Sequence, residues 1–137
     1  MKLAGRIWKS KKSGIWLAEF ALLDLVTQAR TKKDLSNMII DAIKMLVDDK
    51  KFYVQVSLHK DIVYLDAKDQ KKLVALILKR QRNKNGMSIE EVSAQLHTKS
   101  TSEYLKYESG KSSLDFENFE KLLTAIDPSL QPVISCR

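Results

Sequence analysis

The chain is poor in the features that mark secreted or membrane proteins. Its single cysteine is Cys136, so no disulfide can form within the chain. No run of about 18 apolar residues occurs that would span a membrane. Charged residues interrupt the N-terminal segment MKLAGRIWKS before a signal-peptide core can form. We therefore expect a cytoplasmic protein in a reducing compartment, without a membrane partner.

Patterns typical of catalytic or metal-binding sites are also scarce. The only histidines, His59 and His97, have no neighbouring cysteine or second histidine that would complete a metal site. In the first half, only Glu19 and Asp24 lie near predicted strands, whereas a two-metal nuclease needs several carboxylates at strand ends. We therefore predict no enzymatic activity, no metal and no cofactor. A nuclease that uses Glu19 and Asp24 remains the enzymatic alternative.

The composition indicates a folded protein, and its positive charge favours an anionic partner without proving that there is such a partner. The chain has 137 residues, of which 44% are hydrophobic, enough for one ordinary domain or two small ones with packed cores. The net charge is +7, a modest surplus because acidic residues are spread among the basic ones. Such a surplus suits nucleic acid, although it also suits any lysine-rich surface.

The first half has the pattern of a small sheet with one helix. Strands are expected at residues 3–9, 15–20, 24–29 and 52–58, and a further strand at 62–65 is an open alternative. Gly14 suits the turn of a hairpin, and Thr31 with Asp34 begins a helix in the manner of a capping box. The expected fold class is α+β, with the order βββαβ followed by an all-α domain.

From residue 67 onward the pattern predicts helices alone. The expected domains are therefore residues 1–66 and residues 67–137, with no Gly/Ser-rich linker between them. Gly86 ends the first helix of this half, Ser88 with Glu91 caps the second, and Ser100 with Glu103 caps the third. Asp115 opens the fourth helix and Pro128 stops it.

Two short helices joined by a tight turn, at 88–96 and 100–109, are typical of a helix-turn-helix. In this motif the first turn of the second helix enters the major groove of DNA. The expected DNA-binding residues are Lys99, Ser100, Thr101, Ser102, Lys106 and Lys111. For Ser100 and Glu103, helix capping is the simpler interpretation. A single motif covers about half of an operator site, so we expect a homodimer or a higher even oligomer on double-stranded DNA.

The helical half resembles the XRE family of Cro and phage repressors. The resemblance covers about 50 residues, and its strongest element is Glu108-Ser109-Gly110-Lys111, which is similar to the family signature "ErGk". It implies a structural ion pair between Arg82 and Glu108, and core positions for Tyr104 and Tyr107. Ile89 stands where the family often has a glutamine that contacts phosphate.

The first half resembles HicB antitoxins, whose N-terminal domain is a partial RNase H-like fold. Gly5 is followed by the run Trp16-Leu17-Ala18-Glu19-Phe20, then by Val26-Thr27-Gln28, Thr31 and Leu35, in the family's order and spacing. The family's Pro-Gly-Cys element is replaced by ALLDL. A downstream helix-turn-helix is a known HicB arrangement.

This second resemblance implies an antitoxin that covers the active site of a HicA-like mRNA-cleaving toxin and represses its own operon. Trp8 and Trp16 are candidates for toxin binding, since they fall in paired strands that can share a face, although a core role suits them as well. The alternative is a stand-alone transcriptional repressor whose α+β half senses a small molecule. The tail LQPVISC, residues 130–136, either adds a strand across a two-fold axis to a second copy or frays.

Overall fold

The protein is described from a computed structural model in which residues 2–95, 101–127 and 134–135 are placed. The chain divides into two compact units. Among the described residues, the first contains 2–69 and 134–135, and the second contains 70–95 and 101–127. The division therefore follows Asp69, three residues after the end of the domain that sequence patterning outlined. Each unit has its own buried core.

The first unit is an antiparallel sheet with one helix. Its elements are β1 (Lys2–Lys9), β2 (Trp16–Phe20), β3 (Leu25–Ala29), α1 (Lys32–Val47), β4 (Val54–His59), β5 (Ile62–Ala67) and β6 (Ile134–Ser135). The strand order is β3-β2-β1-β5-β4, and β6 pairs with β1. The predicted α+β class is confirmed, and the alternative strand at 62–65 is present as β5.

The alternation of apolar residues assigns one face of this sheet to the core. Leu3 and Ile7 of β1 are buried on the same face as Ala18 and Phe20 of β2 and Val63 of β5. Successive side chains of a strand point to opposite faces, so the intervening residues form a second face, called here the open face.

Helix α1 covers the core face. Its side chains Leu35, Ile39 and Ile43 are fully buried and recur at the spacing of one helical face. The hydroxyl of Thr31 accepts a hydrogen bond from the backbone nitrogen of Asp34 at 3.1 Å, which confirms the predicted helix start. The helix ends at Val47, and its C-cap residue, Asp48, adopts a left-handed conformation with φ 58°.

Gly5 lets the sheet and its core pack closely. A Cβ atom at this position would lie 2.5 Å from the carbonyl oxygen of Glu19 and 2.9 Å from the ring of Phe20. Phe20 leads directly into a 3₁₀ turn, Ala21–Leu23, whose leucines are buried in place of the missing Pro-Gly-Cys element. A side chain at residue 5 would therefore force β1 and β2 apart or displace Phe20 from the core.

The end of the described chain belongs to the sheet. Ser135 pairs with Lys2, and Ile134 pairs with Leu3, in antiparallel register. Sequence patterning groups the tail with the helical half, because a local pattern carries no information on which distant strand a segment joins. Residues 128–133, Cys136 and Arg137 lie outside the described residues.

The second unit consists of helices in its described part. They are α2 (Gln70–Lys84), α3 (Ile89–Gln95), α4 (Thr101–Glu108) and α5 (Phe116–Ile126). The core side chains come from all four helices and are Leu73, Ile77, Val92, Tyr104, Phe119 and Leu123. Across the part of the chain that the structure describes, no helix is both long and apolar enough to cross a membrane.

Candidate nucleic-acid interface

A buried ion pair holds α2 and α4 together. The Arg82 guanidinium donates from Nε to both carboxylate oxygens of Glu108 at 3.1 Å, and its Nη2 lies 2.7 Å from Oε1. Nη1 donates to the carbonyl oxygen of Met87 at 3.1 Å, in the turn between α2 and α3. One arginine therefore joins α2, the turn that follows it and α4, and the pair is well enclosed, with the two side chains only 15% and 8% exposed. The hydrogen bond to Glu108 raises the pKa of Arg82, which stays charged.

The hydroxyl of Tyr104 is buried beside this pair. The side chain is fully buried, and within the described residues its hydroxyl has no hydrogen-bond partner of good geometry. Burial raises the pKa of this hydroxyl, and the negative charge of Glu108 raises it further. Tyr104 is thus a core residue, whereas Tyr107 is only half-buried.

The segment after α4 turns back sharply and presents a lysine. Gly110 has φ +77°, and the backbone nitrogens of Lys111 and Ser112 donate to the carbonyl oxygen of Lys106 at 2.9 and 3.1 Å. A Cβ atom at Gly110 would lie 3.5 Å from the Cα atom of Lys72. A Cβ atom there would be in ordinary van der Waals contact with α2, so the glycine of the "ErGk"-like signature is needed for its left-handed conformation. Lys111 follows it and is exposed.

One face of α4 remains open to solvent. Ser102, Leu105, Lys106 and Ser109 recur at helical spacing and are exposed, with Leu105 at 42%. The opposite face carries Tyr104 and Glu108. Sequence reasoning selected Ser102 and Lys106 but missed Leu105, because an apolar residue at helical spacing is usually assigned to a core. An exposed leucine beside hydroxyls and a lysine suits the thymine methyl groups of a major groove.

The expected DNA-binding residues are only partly brought together by the described structure. Ser102, Lys106 and Lys111 are exposed and Thr101 is half-buried. Lys99 and Ser100 lie outside the described residues, as do the predicted cap of α4 by Ser100 and the turn residue His97. The preceding helix, α3, is capped as expected: Ser88 and Glu91 exchange backbone-to-side-chain hydrogen bonds of 3.1 and 3.2 Å.

The first unit places the two tryptophans on opposite faces of the sheet. Trp8 is paired with Leu17 and Trp16 with Lys9 in the antiparallel register of β1 and β2. Side chains that are adjacent along a strand alternate between faces, so the expectation of one shared face is wrong. Trp8 lies on the open face and is 37% exposed, whereas half-buried Trp16 lies on the side of α1, with the Lys32 ammonium 5.5 Å from its ring centre.

The open face combines exposed apolar side chains with one ion pair. Val26 is 57% exposed and Ile62 is 36% exposed, on the same side as Trp8. Arg6 lies 5.1 Å from the ring centre of Trp8 and 2.8 Å from the carboxylate of Glu19. Within 2–95, 101–127 and 134–135, no group of three or more His, Cys, Asp or Glu side chains is placed to hold a metal ion.

A comparison with protein families places this geometry in a known class. Residues 78–131 match the family model described as helix-turn-helix. The match begins within α2, continues through α3 and α4, and extends beyond the end of α5. No curated protein matches the chain. The second half therefore contains a DNA-binding helix-turn-helix domain of the XRE type, and its class is that of transcriptional regulators.

Proposed function

We propose that the protein is a HicB-like antitoxin that neutralises a HicA-like mRNA-cleaving toxin and represses its own operon. The observation that supports this most is the combination of two units: a DNA-binding helix-turn-helix and a separate βββαββ sheet unit. The order of Gly5, the Trp16–Phe20 strand and Thr31 is that of HicB antitoxins, and each has a structural role in the sheet unit. Neutralisation proceeds by covering the active site of the toxin and needs no catalytic group from this chain.

The toxin-binding surface in this proposal is the open face around Trp8. Aromatic side chains that remain exposed on a rigid sheet lose little conformational entropy on binding, and tryptophan is enriched among residues that dominate interface energies. Ile62 lies nearby on β5, the strand that pairs with β1 on the side opposite β2. Trp16 is the weaker of the two candidates because it lies half-buried on the α1 side.

In the second unit, the proposed DNA-binding residues are Lys99, Ser100, Thr101, Ser102, Lys106 and Lys111, with Leu105 added from the structure. The lysines bind phosphates, which supplies affinity without reading the sequence. The hydroxyl groups at the start of α4 and the exposed leucine contact base edges, which supplies specificity. Repression follows when this surface occupies the operator.

Co-expression with the product of the adjacent gene tests the antitoxin function. If that product is a small basic protein with one histidine that arrests growth, this chain is expected to restore growth and to co-purify with it. Trp8→Ala is expected to abolish rescue, whereas Met45→Ala, which alters an 80% exposed side chain on α1, serves as the matched control. Growth arrest that persists with full-length, folded protein present would contradict the proposal.

The alternative is a stand-alone repressor with a ligand-sensing first unit. A cavity of ≈ 290 Å³ on the sheet is lined by Ala4, Gly5, Arg6, Glu19, Ala21 and Ile62, and it is the observation that favours this alternative. Ligand pockets usually measure about 300–1,000 Å³, so the cavity lies at the lower limit. The sensor would be favoured over the antitoxin if a small molecule releases the wild-type protein from operator DNA. The Arg6→Ala variant would then still bind the DNA but would no longer be released by that molecule.

A further inference from the structure

Strand β3 is an edge strand without the features that usually prevent edge pairing. It lies at the end of the strand path β3-β2-β1-β5-β4, and its sequence is LVTQA. Natural edge strands are commonly protected by charged side chains, proline or a bulge. None of the five residues of β3 is charged or is a proline, and the register with β2 runs from Trp16↔Ala29 to Phe20↔Leu25 without a bulge.

The ladder of hydrogen bonds shows which backbone groups face outward. The backbone nitrogen of Ser10 donates to the carbonyl of Ile15 at 2.8 Å at the hairpin end. Hydrogen-bonded pairs alternate along antiparallel strands, so residues 16, 18 and 20 of β2 bond to β3. Their partners on β3 are residues 25, 27 and 29. The N–H and C=O groups of Val26 and Gln28 consequently point away from β2.

The sequence of this edge is complementary to itself. In an antiparallel pair of two copies centred on Thr27, Val26 of each copy lies opposite Gln28 of the other, and the outward backbone groups of both residues meet. The two threonines form a pair at the centre, a favourable cross-strand combination. The same register brings exposed Asp24, just before the strand, opposite exposed Arg30, just after it, in both directions.

The other edge of the sheet differs in its flanking charge. Strand β4 is directly preceded by Tyr53 and directly followed by Lys60. In the centred antiparallel self-pairing of β4, Val54 lies opposite His59, so Lys60 of one copy lies opposite Tyr53 of the other and no opposite charges meet. Of these two edges, only β3 has an acidic residue directly before it and a basic residue directly after it. Charge complementarity between two copies therefore favours pairing at β3 over pairing at β4.

From these observations we propose that β3 is the dimerisation edge: two copies of the chain pair β3 antiparallel about a two-fold axis at Thr27 and form a continuous sheet. The inference rests on the proposed function, because a helix-turn-helix regulator reads a two-fold operator as a dimer. The occupant of the edge is a second copy of this chain. The open face around Trp8 stays available on both copies.

A proline at the outward-facing position tests the pairing. Gln28→Pro removes an N–H group that points away from β2, so the hydrogen bonds between β2 and β3 within one copy are retained. Between the two copies, one hydrogen bond is lost from each Gln28, two in all. The dimer dissociation constant of the full-length chain is expected to rise at least about tenfold, which is 1.4 kcal/mol. Gln28→Ala keeps the N–H and is expected to leave the constant unchanged. Light scattering measures the mass, and circular dichroism verifies the fold.

Disulfide trapping checks the register independently of stability. In a Cys136→Ser background, Thr27→Cys places two thiols opposite each other at a non-hydrogen-bonded pair, where Cα atoms are about 4.5 Å apart and within disulfide reach. Val26→Cys is the control, because Gln28 of the other copy lies opposite it. Rapid cross-linking of Thr27→Cys alone supports the inference.

The inference would be overturned by equal cross-linking rates for the two variants, by a monomeric wild type, or by a Gln28→Pro variant that remains dimeric while folded. Cross-linking of Thr27→Cys to the toxin instead of to itself would assign the edge to that partner and also reject the inference. None of these results bears on growth rescue, so failure of the dimer edge and failure of the antitoxin function are distinguishable.

Discussion

At the scale of single residues, the ion pair between Arg82 and Glu108 carries more structural weight than its two charges suggest. It joins the ends of α2 and α4 and also holds the turn before α3 through the carbonyl of Met87. A charge left unpaired in so enclosed a position is costly, because burial has already removed most of its water. The geometry of the proposed DNA-binding face thus depends on two residues that need not touch DNA.

Loss of the carboxylate is therefore expected to destabilise the second unit strongly. Glu108→Ala leaves Arg82 buried without its partner, and the free energy of unfolding is expected to fall by about 3 kcal/mol. Glu117→Ala, which removes an 80% exposed carboxylate 3.3 Å from Lys121, is the control and is expected to cost less than about 0.5 kcal/mol. Urea unfolding followed by circular dichroism measures both, and equal effects would contradict the structural role of the pair.

For the buried hydroxyl of Tyr104, we expect that removal does not lower the free energy of unfolding, in contrast to the loss of the Glu108 carboxylate. Because the hydroxyl has no hydrogen-bond partner of good geometry among the described residues, Tyr104→Phe is expected to leave stability unchanged or to raise it by up to about 1 kcal/mol at neutral pH. A loss of stability instead would indicate that the hydroxyl bonds Glu108 or Arg82 in solution.

The pH dependence of stability in wild type and Tyr104→Phe follows from the raised pKa of Tyr104. The native state keeps the phenol protonated above its ordinary pKa of 10.0, whereas the unfolded chain ionises there. The stabilising difference is complete below that pH and is lost as the pH rises, at up to about 1.4 kcal/mol per pH unit. Wild type is expected to lose stability relative to Tyr104→Phe on going from neutral pH to about pH 10.5. Parallel curves for the two proteins would show that Tyr104 does not titrate differently in the two states.

At the scale of elements, α4 divides cleanly between core and exposed surface. Tyr104 and Glu108 face the other helices, whereas Ser102, Leu105 and Lys106 face solvent. A tight turn at Gly110 follows the helix, and the exposed Lys111 comes directly after this turn. The two lysines therefore have no part in the core, and changing them should alter binding without altering the fold.

We expect Lys106→Ala and Lys111→Ala each to weaken operator binding, because each variant neutralises fewer DNA phosphates. The slope of log affinity against log salt is expected to fall by about one unit for each phosphate that the lysine no longer neutralises. Lys121→Ala is the matched control, since its side chain on α5 is 71% exposed and lies beside Glu117. Gel-shift titrations at several salt concentrations measure the slope. An unchanged affinity in both lysine variants would reject the assignment of this face.

At the scale of the whole molecule, the two units have separate cores, so the two proposed activities should be separable by mutation. Trp8→Ala is expected to abolish toxin binding and leave operator affinity unchanged, because Trp8 lies on the sheet of the first unit. The double variant Lys106→Ala, Lys111→Ala is expected to show the reverse. Pull-down and gel-shift assays on the same two preparations measure both properties, and loss of both activities in either folded variant would contradict the division of labour.

Much of the fold was predictable because its signals are local. Helix caps such as Thr31 with Asp34, the left-handed glycines at 14, 86 and 110, and the alternation of the strands depend on residues close together in sequence. The Arg82–Glu108 contact was expected from the family resemblance, and the structure places the two side chains 2.7 Å apart. The candidate DNA-binding face was predictable in part, through its hydroxyls and lysines.

The amino-acid sequence by itself determined the kinds of element, the point where strands give way to helices and the identity of the helix-turn-helix. Only the tertiary structure decided the register of β1 on β2, which puts Trp8 and Trp16 on opposite faces. It also decided the exposure of Leu105 and the pairing of Ile134 with Leu3. The physical reason is that periodicity specifies which residues share a face, whereas register and burial depend on contacts between segments that are distant in the chain.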